Sequence, residues 1–374
     1  MKASEQVSVM YSRNMKKKSR DILQTTSDKT TFSPEILRNL PPAPFLRALL
    51  AIVPAISCGC SGEMEIIPGP PDNLVEQTTL HFSGACMTSE GKTLDIFTFE
   101  DDAMKRLDSY QRFENHEDTR AYITSTEGDK VCFICADGHL KRHDWSNIYS
   151  YASLEKIYCE LEKETHERYT KTGHCSLTAG YRKGIVTLSP LVSEIYLESI
   201  CCNFKGTPYE GEVLRDVKAY LTNVNATCSL TSPNPASPVR IINTGMLNPY
   251  DMKNFEEPEI IMQVISERIG NKEVRTEALF LCYPNISKEE GPGTPNTRLV
   301  IEGTIASHTY YWPITIRTGD DGSPGVERNC RYSYEVLITR KGVTDPDTPI
   351  DYRTADINLK IKPWKETEEY GVRF

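Results

Sequence analysis

The segment Tyr332-Ser333-Tyr334-Glu335-Val336-Leu337-Ile338-Thr339 decides the fold class of this chain. Every second residue in it, from Tyr332 to Ile338, is aromatic or aliphatic, and the residues between them are mostly polar. A period of two is typical of a strand that buries one face. The same period returns in residues 357–362, where isoleucine or leucine alternates with asparagine or lysine. The C-terminal part of the chain is therefore predicted to be β-structure.

Further strand-like segments extend outward from this region toward the N-terminus, each bounded by turn-forming residues. One helix is predicted among them, with Ser153 as its N-cap and apolar residues at helical spacing as far as Lys163. Pro313 favours an edge position or a bulge for the strand that contains it. The predicted strands cover residues 77–82, 92–99, 130–135, 191–198, 217–222, 277–282, 297–302 and 310–316, in addition to the two above.

Residues 232–238, Ser-Pro-Asn-Pro-Ala-Ser-Pro, contain three prolines in seven residues and read as a linker. Short strands at regular intervals on both sides of it favour β-sandwiches. The sequence therefore predicts a mostly β protein with two tandem sandwich domains, at residues 76–231 and 239–374, and one short helix in the first domain.

The N-terminal region is predicted to be an export signal that covers residues 1–57. An apolar run of about ten residues, 49–58, follows a long basic segment and ends in Ala55-Ile56-Ser57-Cys58. A basic segment, a short apolar segment and small residues in this order are typical of a signal peptide. This ending resembles the lipobox of bacterial lipoproteins, which implies lipidation at Cys58, whereas Cys60 fits that pattern poorly. An ordinary buried helix from Phe45 is the alternative, but the prolines of this region disfavour it. Residues 58–75, rich in Gly and Pro, are then a tether.

The charge balance argues against nucleic acid as a partner. The chain carries a formal net charge of −9, and loss of residues 1–57 leaves 34 basic and 48 acidic residues, a net charge of −14. Nucleic-acid binding favours a basic stripe instead. No later stretch of 18 apolar residues predicts a membrane-spanning helix.

Twelve cysteines are scattered along the chain, most of them in apolar segments. Cys132-Phe133-Ile134-Cys135 has the spacing of a thiol-redox or zinc motif, but residues i and i+3 of a strand point to opposite faces. We therefore expect buried free thiols here. The spacing does not determine whether other cysteines pair.

No catalytic or cofactor-binding residues are predicted, and no metal site. His139 and His143 are four residues apart, but the basic residues between them disfavour a cation site. Asp320-Asp321-Gly322 and Asp345-Pro346-Asp347 are interpreted as turns rather than calcium loops. Tyr310-Tyr311-Trp312 is interpreted as core and edge packing, with glycan or partner binding as the alternative. The glycosylation sequons at Asn225 and Asn285 are not expected to carry glycans.

Several of these segments resemble the Bacteroidales fimbrillins, the subunits of type V pili. The likeness extends over nearly all of the chain beyond Cys58, and it is carried by the order of the segments rather than by one motif. The segments are 94–99, 107–110, 188–195, 216–225, 328–339, 342–347 and 357–364.

This resemblance implies a pair of transthyretin-like sandwich domains, export to the outer membrane as a lipoprotein, and assembly with other fimbrial subunits by strand exchange. An unpaired sheet edge is a natural acceptor for such a strand. An adhesive subunit implies a ligand on a host or bacterial surface as a further partner.

Two departures from stalk subunits favour a minor subunit, at the tip or at the membrane anchor. Stalk subunits are cleaved after arginine near the first strand, yet no arginine lies between Cys58 and Arg106. Residues 365–370 also lack the apolar alternation of a donor strand.

The alternative function is a surface lipoprotein that binds carbohydrate for an uptake system. This function predicts an exposed platform of aromatic side chains.

Overall fold

The computed structural model describes residues 75–84, 93–116, 118–181, 183–232, 239–286, 290–291, 293–318, 323–348 and 355–363. All of them belong to one compact unit, residues 68–374. The predicted signal region 1–57, the lipidation residue Cys58 and the tether up to residue 74 lie outside these ranges. Within them, no helix is long and apolar enough to cross a bilayer.

The described residues form 21 strands and one α-helical turn, α1, at Tyr151–Leu154. Single 3₁₀ turns lie at Arg142–Trp145, Leu161–Lys163, Asp251–Asn254 and Pro258–Ile260. The strands of the first half are β1 (Val75–Gly84), β2 (Thr93–Glu100), β3 (Leu107–Glu114), β4 (Arg120–Thr126), β5 (Lys130–Ala136), β6 (Tyr158–Glu160), β7 (Lys171–Leu177) and β8 (Lys183–Pro190). Those of the second half are β9 (Ser193–Cys202), β10 (Leu214–Thr222), β11 (Val224–Asn225), β12 (Thr227–Ser229), β13 (Ile241–Ile242), β14 (Met262–Ile269), β15 (Val274–Cys282), β16 (Arg298–Ile305), β17 (His308–Thr315), β18 (Arg317–Thr318), β19 (Ser323–Pro324), β20 (Cys330–Ile338) and β21 (Ala355–Pro363).

The N-terminal sandwich is one seven-stranded sheet, in the order β3-β2-β5-β7-β8-β1-β4, that folds over on itself. The fold-over occurs at β7 and β8, which share only the pairs Lys171–Pro190 and Thr172–Ser189. Gly173 permits the close approach there, because a Cβ at this position would lie 2.6 Å from the carbonyl oxygen of Thr187. Apolar side chains from both ends of the sheet, including Leu80 and Leu94, then share one buried core.

Strand β2 is buried on both faces, which joins this sandwich to the rest of the protein. Leu94 and Ile96 belong to the core of the N-terminal sandwich, whereas Phe97 and Phe99 belong to a second, larger apolar cluster. That cluster runs on through Trp145 of the connecting segment into the strands of the second half. Residues 142–163 thus cover the outer face of β2 and β5 instead of leaving it to solvent.

The C-terminal sandwich packs two four-stranded sheets against each other, in the orders β14-β10-β16-β17 and β15-β9-β20-β21. Strand β9 is central in the second sheet, antiparallel to β15 and parallel to β20. Strand β17, which contains Pro313, is the last strand of its sheet. The predicted fold class, a mostly β chain with two tandem β-sandwiches and one short helix, is confirmed, and so is the edge position of the strand with Pro313.

The division predicted at residues 232–238 needs correction. Strands β9 and β10 precede that segment, yet they pair with β14, β15, β16 and β20, which follow it. The two sandwiches therefore divide at the two residues between β8 and β9, Leu191 and Val192, and both are fully buried. A proline-rich connection marks a domain boundary only when the strands on its two sides do not pair with each other.

The helix predicted from Ser153 to Lys163 is also wrong in extent. The helical turn is capped by Ser150, whose hydroxyl accepts from the backbone N–H of Ser153. Beyond it, the chain becomes strand β6, which pairs with β12 and buries Cys159 between two exposed neighbours. The tertiary pairing with β12 therefore overrides a local pattern that is compatible with a helix.

Buried asparagines hold the loops of the C-terminal sandwich together. The side-chain N–H groups of Asn285 donate to the carbonyl oxygens of Asn223 and Pro295 at 3.4 and 2.9 Å and to Thr297 Oγ1 at 2.9 Å. Asn223 Oδ1 accepts from the backbone N–H of Gly245 at 2.8 Å. Amide side chains can satisfy both donors and acceptors at once, so they replace sheet hydrogen bonds where the chain turns.

We expect Asn285→Ala to lower the free energy of unfolding by about 2–4 kcal/mol, because several buried carbonyl groups lose their donor. Urea unfolding followed by tryptophan fluorescence measures the change. Asn254→Ala is the matched control, because Asn254 is exposed, and we expect less than about 0.5 kcal/mol there. Equal effects of the two substitutions would contradict a structural role for the asparagine network.

Candidate functional site

Strand β1 occupies a slot between two other strands of the N-terminal sandwich. It is antiparallel to β4 over seven residue pairs and parallel to β8 over six. Leu80 is fully buried and Phe82 is nearly so. The first described strand thus supplies both a backbone ladder on each side and apolar side chains to the core, and its loss would open a groove.

Strand β21 lies at the edge of the C-terminal sandwich. It pairs with β20 over nine residues, from Cys330–Pro363 to Ile338–Ala355. Within the described ranges, no strand pairs with its other side. Edge backbone groups of this kind can accept a strand from another chain.

The aromatic triplet on β17 is core and edge packing, as predicted. Trp312 is fully buried, and its indole N–H donates to the carbonyl oxygen of Arg340 at 3.2 Å. Tyr310 is almost buried, with its hydroxyl 3.3 Å from that of Tyr209. Neither ring is available as an exposed platform for a glycan.

The two histidines considered as metal ligands do not face one site. His143 is largely exposed, with Nε2 3.1 Å from Asp144 Oδ1. His139 is half-buried beside Cys159 and Glu164, and one ligand atom from each of the three lies within 4.8 Å of the others. His139 Nδ1 is buried and has no hydrogen-bond partner among the described residues.

Glu164 has a structural role in this cluster. Its carboxylate accepts hydrogen bonds from the Tyr283 hydroxyl at 2.7 Å and from the Thr170 backbone N–H and hydroxyl, both at 2.8 Å. Burial raises the pKa of Glu164 and outweighs these hydrogen bonds, which act to lower it. Burial also lowers the pKa of His139 to about 4, and Arg168 adds to this shift.

Asp345-Pro346-Asp347 forms a turn, as predicted, in which Asp345 Oδ1 accepts from the backbone N–H of Asp347 at 3.0 Å. Asp320-Asp321-Gly322 lies outside the described residues. Asn225 and Asn285, the acceptors of the two sequons, are buried. Neither could carry a glycan on the folded surface.

Cys132 and Cys135 are buried free thiols on opposite faces of β5, as predicted. The strand register adds two cross-strand pairs that the spacing in the sequence does not reveal. Cys132 lies opposite Cys175 on β7, and Cys159 lies opposite Cys228 on β12. The Cys132 thiol donates a hydrogen bond to the Cys175 sulfur, which lowers the pKa of Cys175.

Among the described residues, these features define a tandem β-sandwich protein with β21 at a sheet edge and β1 in a slot between two strands. No protein family matches the chain by sequence, and no curated protein matches it either. Solved structures do share its fold. A protein assigned to cell adhesion in Parabacteroides distasonis is 12% identical, with a TM-score of 0.57, and the match covers 79% of this chain and 98% of that one.

Two further structures agree. A protein assigned to cell adhesion in Bacteroides eggerthii is 14% identical with a TM-score of 0.56, and the match covers 77% of this chain and 95% of that one. A fimbrilin from Porphyromonas gingivalis is 11% identical with a TM-score of 0.57, over 78% of this chain and 98% of that one. The chain therefore has the fold of Bacteroidales fimbrial and cell-adhesion proteins.

We expect His139 to make the protein less stable in mild acid. Its pKa is about 4 in the folded chain and about 6.5 in an unfolded one. The unfolded state therefore binds more protons between these values, and stability falls as the pH drops through this window, by up to about 3 kcal/mol.

Urea unfolding at pH 7 and at pH 4.5 measures this loss in the native chain and in His139→Leu, which should lose less stability on acidification. His143→Leu is the control, because this exposed side chain should leave the native pH dependence unchanged. An unchanged slope in His139→Leu would contradict the expectation.

We expect glutathione disulfide to oxidise Cys132 and Cys175 to a cross-strand disulfide. The Cys175 thiolate attacks the oxidant and releases one glutathione, and Cys132 then displaces the second, so two thiol protons are lost and glutathione disulfide is reduced. Directly opposed strand residues have Cβ atoms about 4.5–5.5 Å apart, close to the disulfide requirement of about 3.5–4.5 Å.

Peptide mapping without reduction detects the bond, and Cys175→Ser should leave Cys132 free. The fully buried pair of Cys159 and Cys228 is the internal control and should stay reduced in the folded chain. Both pairs are directly opposed, but only the Cys132 pair has a half-buried member, Cys175. Oxidation of the fully buried pair first would therefore contradict the expectation that exposure of Cys175 admits the oxidant.

Proposed function

We propose that this protein is a minor subunit of a cell-surface fimbria, with a structural and adhesive role, that joins other subunits by β-strand exchange. The observation that carries the proposal is the slot of β1. Leu80 and Phe82 of this strand fill a core position, and its backbone pairs on both sides. A strand from a neighbour could replace both sets of contacts at little net cost.

The shared fold supports this proposal. The similarity to the fimbrilin and to the two adhesion proteins spans 77–79% of the chain, and thus includes both sandwiches. The open edge of β21 offers a second place where a strand could add. Nothing in this proposal requires a cofactor or a catalytic residue.

The proposed location is the outer membrane, on its extracellular face. Residues 1–57 would be removed on export, Cys58 would carry the lipid, and residues 58–75 would hold the sandwiches away from the membrane. The absence of arginine between Cys58 and Arg106 and the polar composition of residues 365–370 favour a tip or anchor subunit over a stalk subunit.

The alternative, carbohydrate capture for an uptake system, predicts an exposed aromatic platform. The triplet on β17 is buried or half-buried instead. The strand-exchange proposal is therefore the one that the described residues favour.

A cleavable variant tests strand exchange. A specific protease site is placed between Gly84 and Thr93, the chain is cut, and a fluorescent peptide with the sequence of residues 75–84 is added. We expect the cut chain to bind the peptide, because it can replace β1. A peptide with Leu80→Asp should not bind, since it would bury a carboxylate, and the uncut chain is the control for nonspecific uptake.

If the cut chain released β1 but took up no peptide, exchange at this slot would be excluded.

Anchoring is tested separately by metabolic labelling with a radioactive fatty acid. Cys58→Ala should abolish the label and Cys60→Ala should retain it. Label retained in Cys58→Ala would disprove the proposed anchor but leave the exchange proposal standing.

A further inference from the structure

A cavity of about 370 Å³ opens where the N-terminal sandwich meets the C-terminal one. Strands β5, β7 and β8 form one side of it, and the segments around residues 230 and 328 form the other. Polar and aromatic side chains share its lining. Those that matter for recognition are Phe133, Tyr151, His174, Thr187, Thr231 and Arg328.

Arg328 brings a positive charge to this cavity without a neutralising carboxylate. Its Nε donates to the carbonyl oxygen of Pro190 at 3.0 Å, and its Nη2 donates to the carbonyl oxygen of Ser189 at 2.6 Å and to Thr172 Oγ1 at 3.2 Å. Within the described part of the chain, no carboxylate forms an ion pair with it. No hydrogen bond joins its Nη1 to another described residue.

Partial burial of this guanidinium affects its pKa. Desolvation lowers the pKa of Arg328, although the whole chain carries a net charge of −9. A partly buried charge without an ion-pair partner costs free energy even when it is hydrogen-bonded, and an anion beside it would offset part of that cost. The field that favours an anion here is thus local to Arg328 and opposite to the overall charge of the protein.

Thr231 supplies a polar group without a hydrogen-bond partner. Its hydroxyl oxygen is buried and has no hydrogen-bond partner among the described residues, and the residue lines the same cavity. A buried hydroxyl without a partner costs stability. A cation without an ion-pair partner and a buried hydroxyl without a hydrogen-bond partner therefore border one space.

We propose that this cavity binds a carboxylate-bearing sugar, of the sialic or uronic acid class. Arg328 would receive the carboxylate, and the hydroxyl of Thr231 would pair with a sugar hydroxyl. The inference rests on the proposed adhesive role and names the ligand class for it.

The remaining lining distinguishes a sugar acid from a simple anion. The half-buried ring of Tyr151 offers apolar surface for the C–H face of a sugar, and Thr187 and His174 offer further polar groups at the exposed rim. Ligand pockets commonly have volumes of about 300–1,000 Å³. A cavity of about 370 Å³ therefore suits one or two sugar units rather than a long polymer segment.

Calorimetric titration of the intact chain tests this proposal, with N-acetylneuraminic acid, glucuronic acid and neutral galactose as the probes. We expect an acidic sugar to bind at least about tenfold more tightly than galactose, because only the acid can pair with Arg328. Acetate is a further probe. Binding of acetate with the same affinity as the sugar acids would overturn the sugar assignment.

Thr231→Val keeps the shape of the side chain and removes the hydroxyl. We expect it to weaken acidic-sugar binding by about threefold to tenfold while the stability of the free protein stays the same or rises. Thr227→Val is the matched control, because the Thr227 hydroxyl is also buried without a described partner but does not line the cavity. It should leave binding unchanged.

Arg328→Gln should reduce binding of the sugar acids by about tenfold to a hundredfold and leave binding of galactose unaltered. Because Arg328 also bonds the end of β8, its thermal unfolding is measured in parallel, and Thr231→Val tests the site if Arg328→Gln does not fold. No binding of either acidic sugar, or equal binding by native chain and Thr231→Val, would refute the proposal.

The failure of this inference can be told apart from failure of the proposed function. If no sugar acid binds while the cut chain still takes up the β1 peptide, the ligand class is wrong and the strand-exchange role stands. If the peptide does not bind but the sugar acids do, the cavity remains a binding site and strand exchange at β1 is excluded.

Discussion

The position of strand β9 is the constraint on which the rest of the structure depends. Residues 193–202 pair with β15 on one side and with β20 on the other, so the C-terminal sandwich closes only when distant parts of the chain meet. Its alternate residues, including Ile195 and Leu197, are fully buried. Because β9 begins two residues after β8 ends, this pairing also fixes where the N-terminal sandwich ends.

The short β8–β9 connection explains why the two sandwiches share packing. Leu191 and Val192 are fully buried in the same apolar cluster as Phe97 and Phe133 of the N-terminal sandwich and Ile195 of the C-terminal one. A continuous cluster of this kind opposes independent motion of the two halves, since separation would expose apolar surface. The half-buried groups at the junction, Arg328 and Thr231, are held in place by it.

One of the two proposed strand-exchange sites borders the proposed ligand cavity. The slot of β1 and the edge of β21 lie in different sheets, and β1 pairs directly with β8, whose Thr187 lines the cavity. The Arg328 cavity lies between the sandwiches. Strand exchange at β1, as proposed, would therefore replace the direct neighbour of a strand that lines the cavity.

The sequence by itself determined the strands with strong period-two patterns, such as residues 332–339, and their class of fold, because alternation reports directly which face of a strand is buried. It also indicated that Cys132 and Cys135 face opposite sides of β5. Only the tertiary structure decided that Tyr158–Glu160 is a strand, that residues 232–238 do not divide the sheets, and that Arg328 and Thr231 meet in one cavity. Each of these depends on contacts between residues far apart in the chain, and local periodicity carries no information about which distant segment will be the partner.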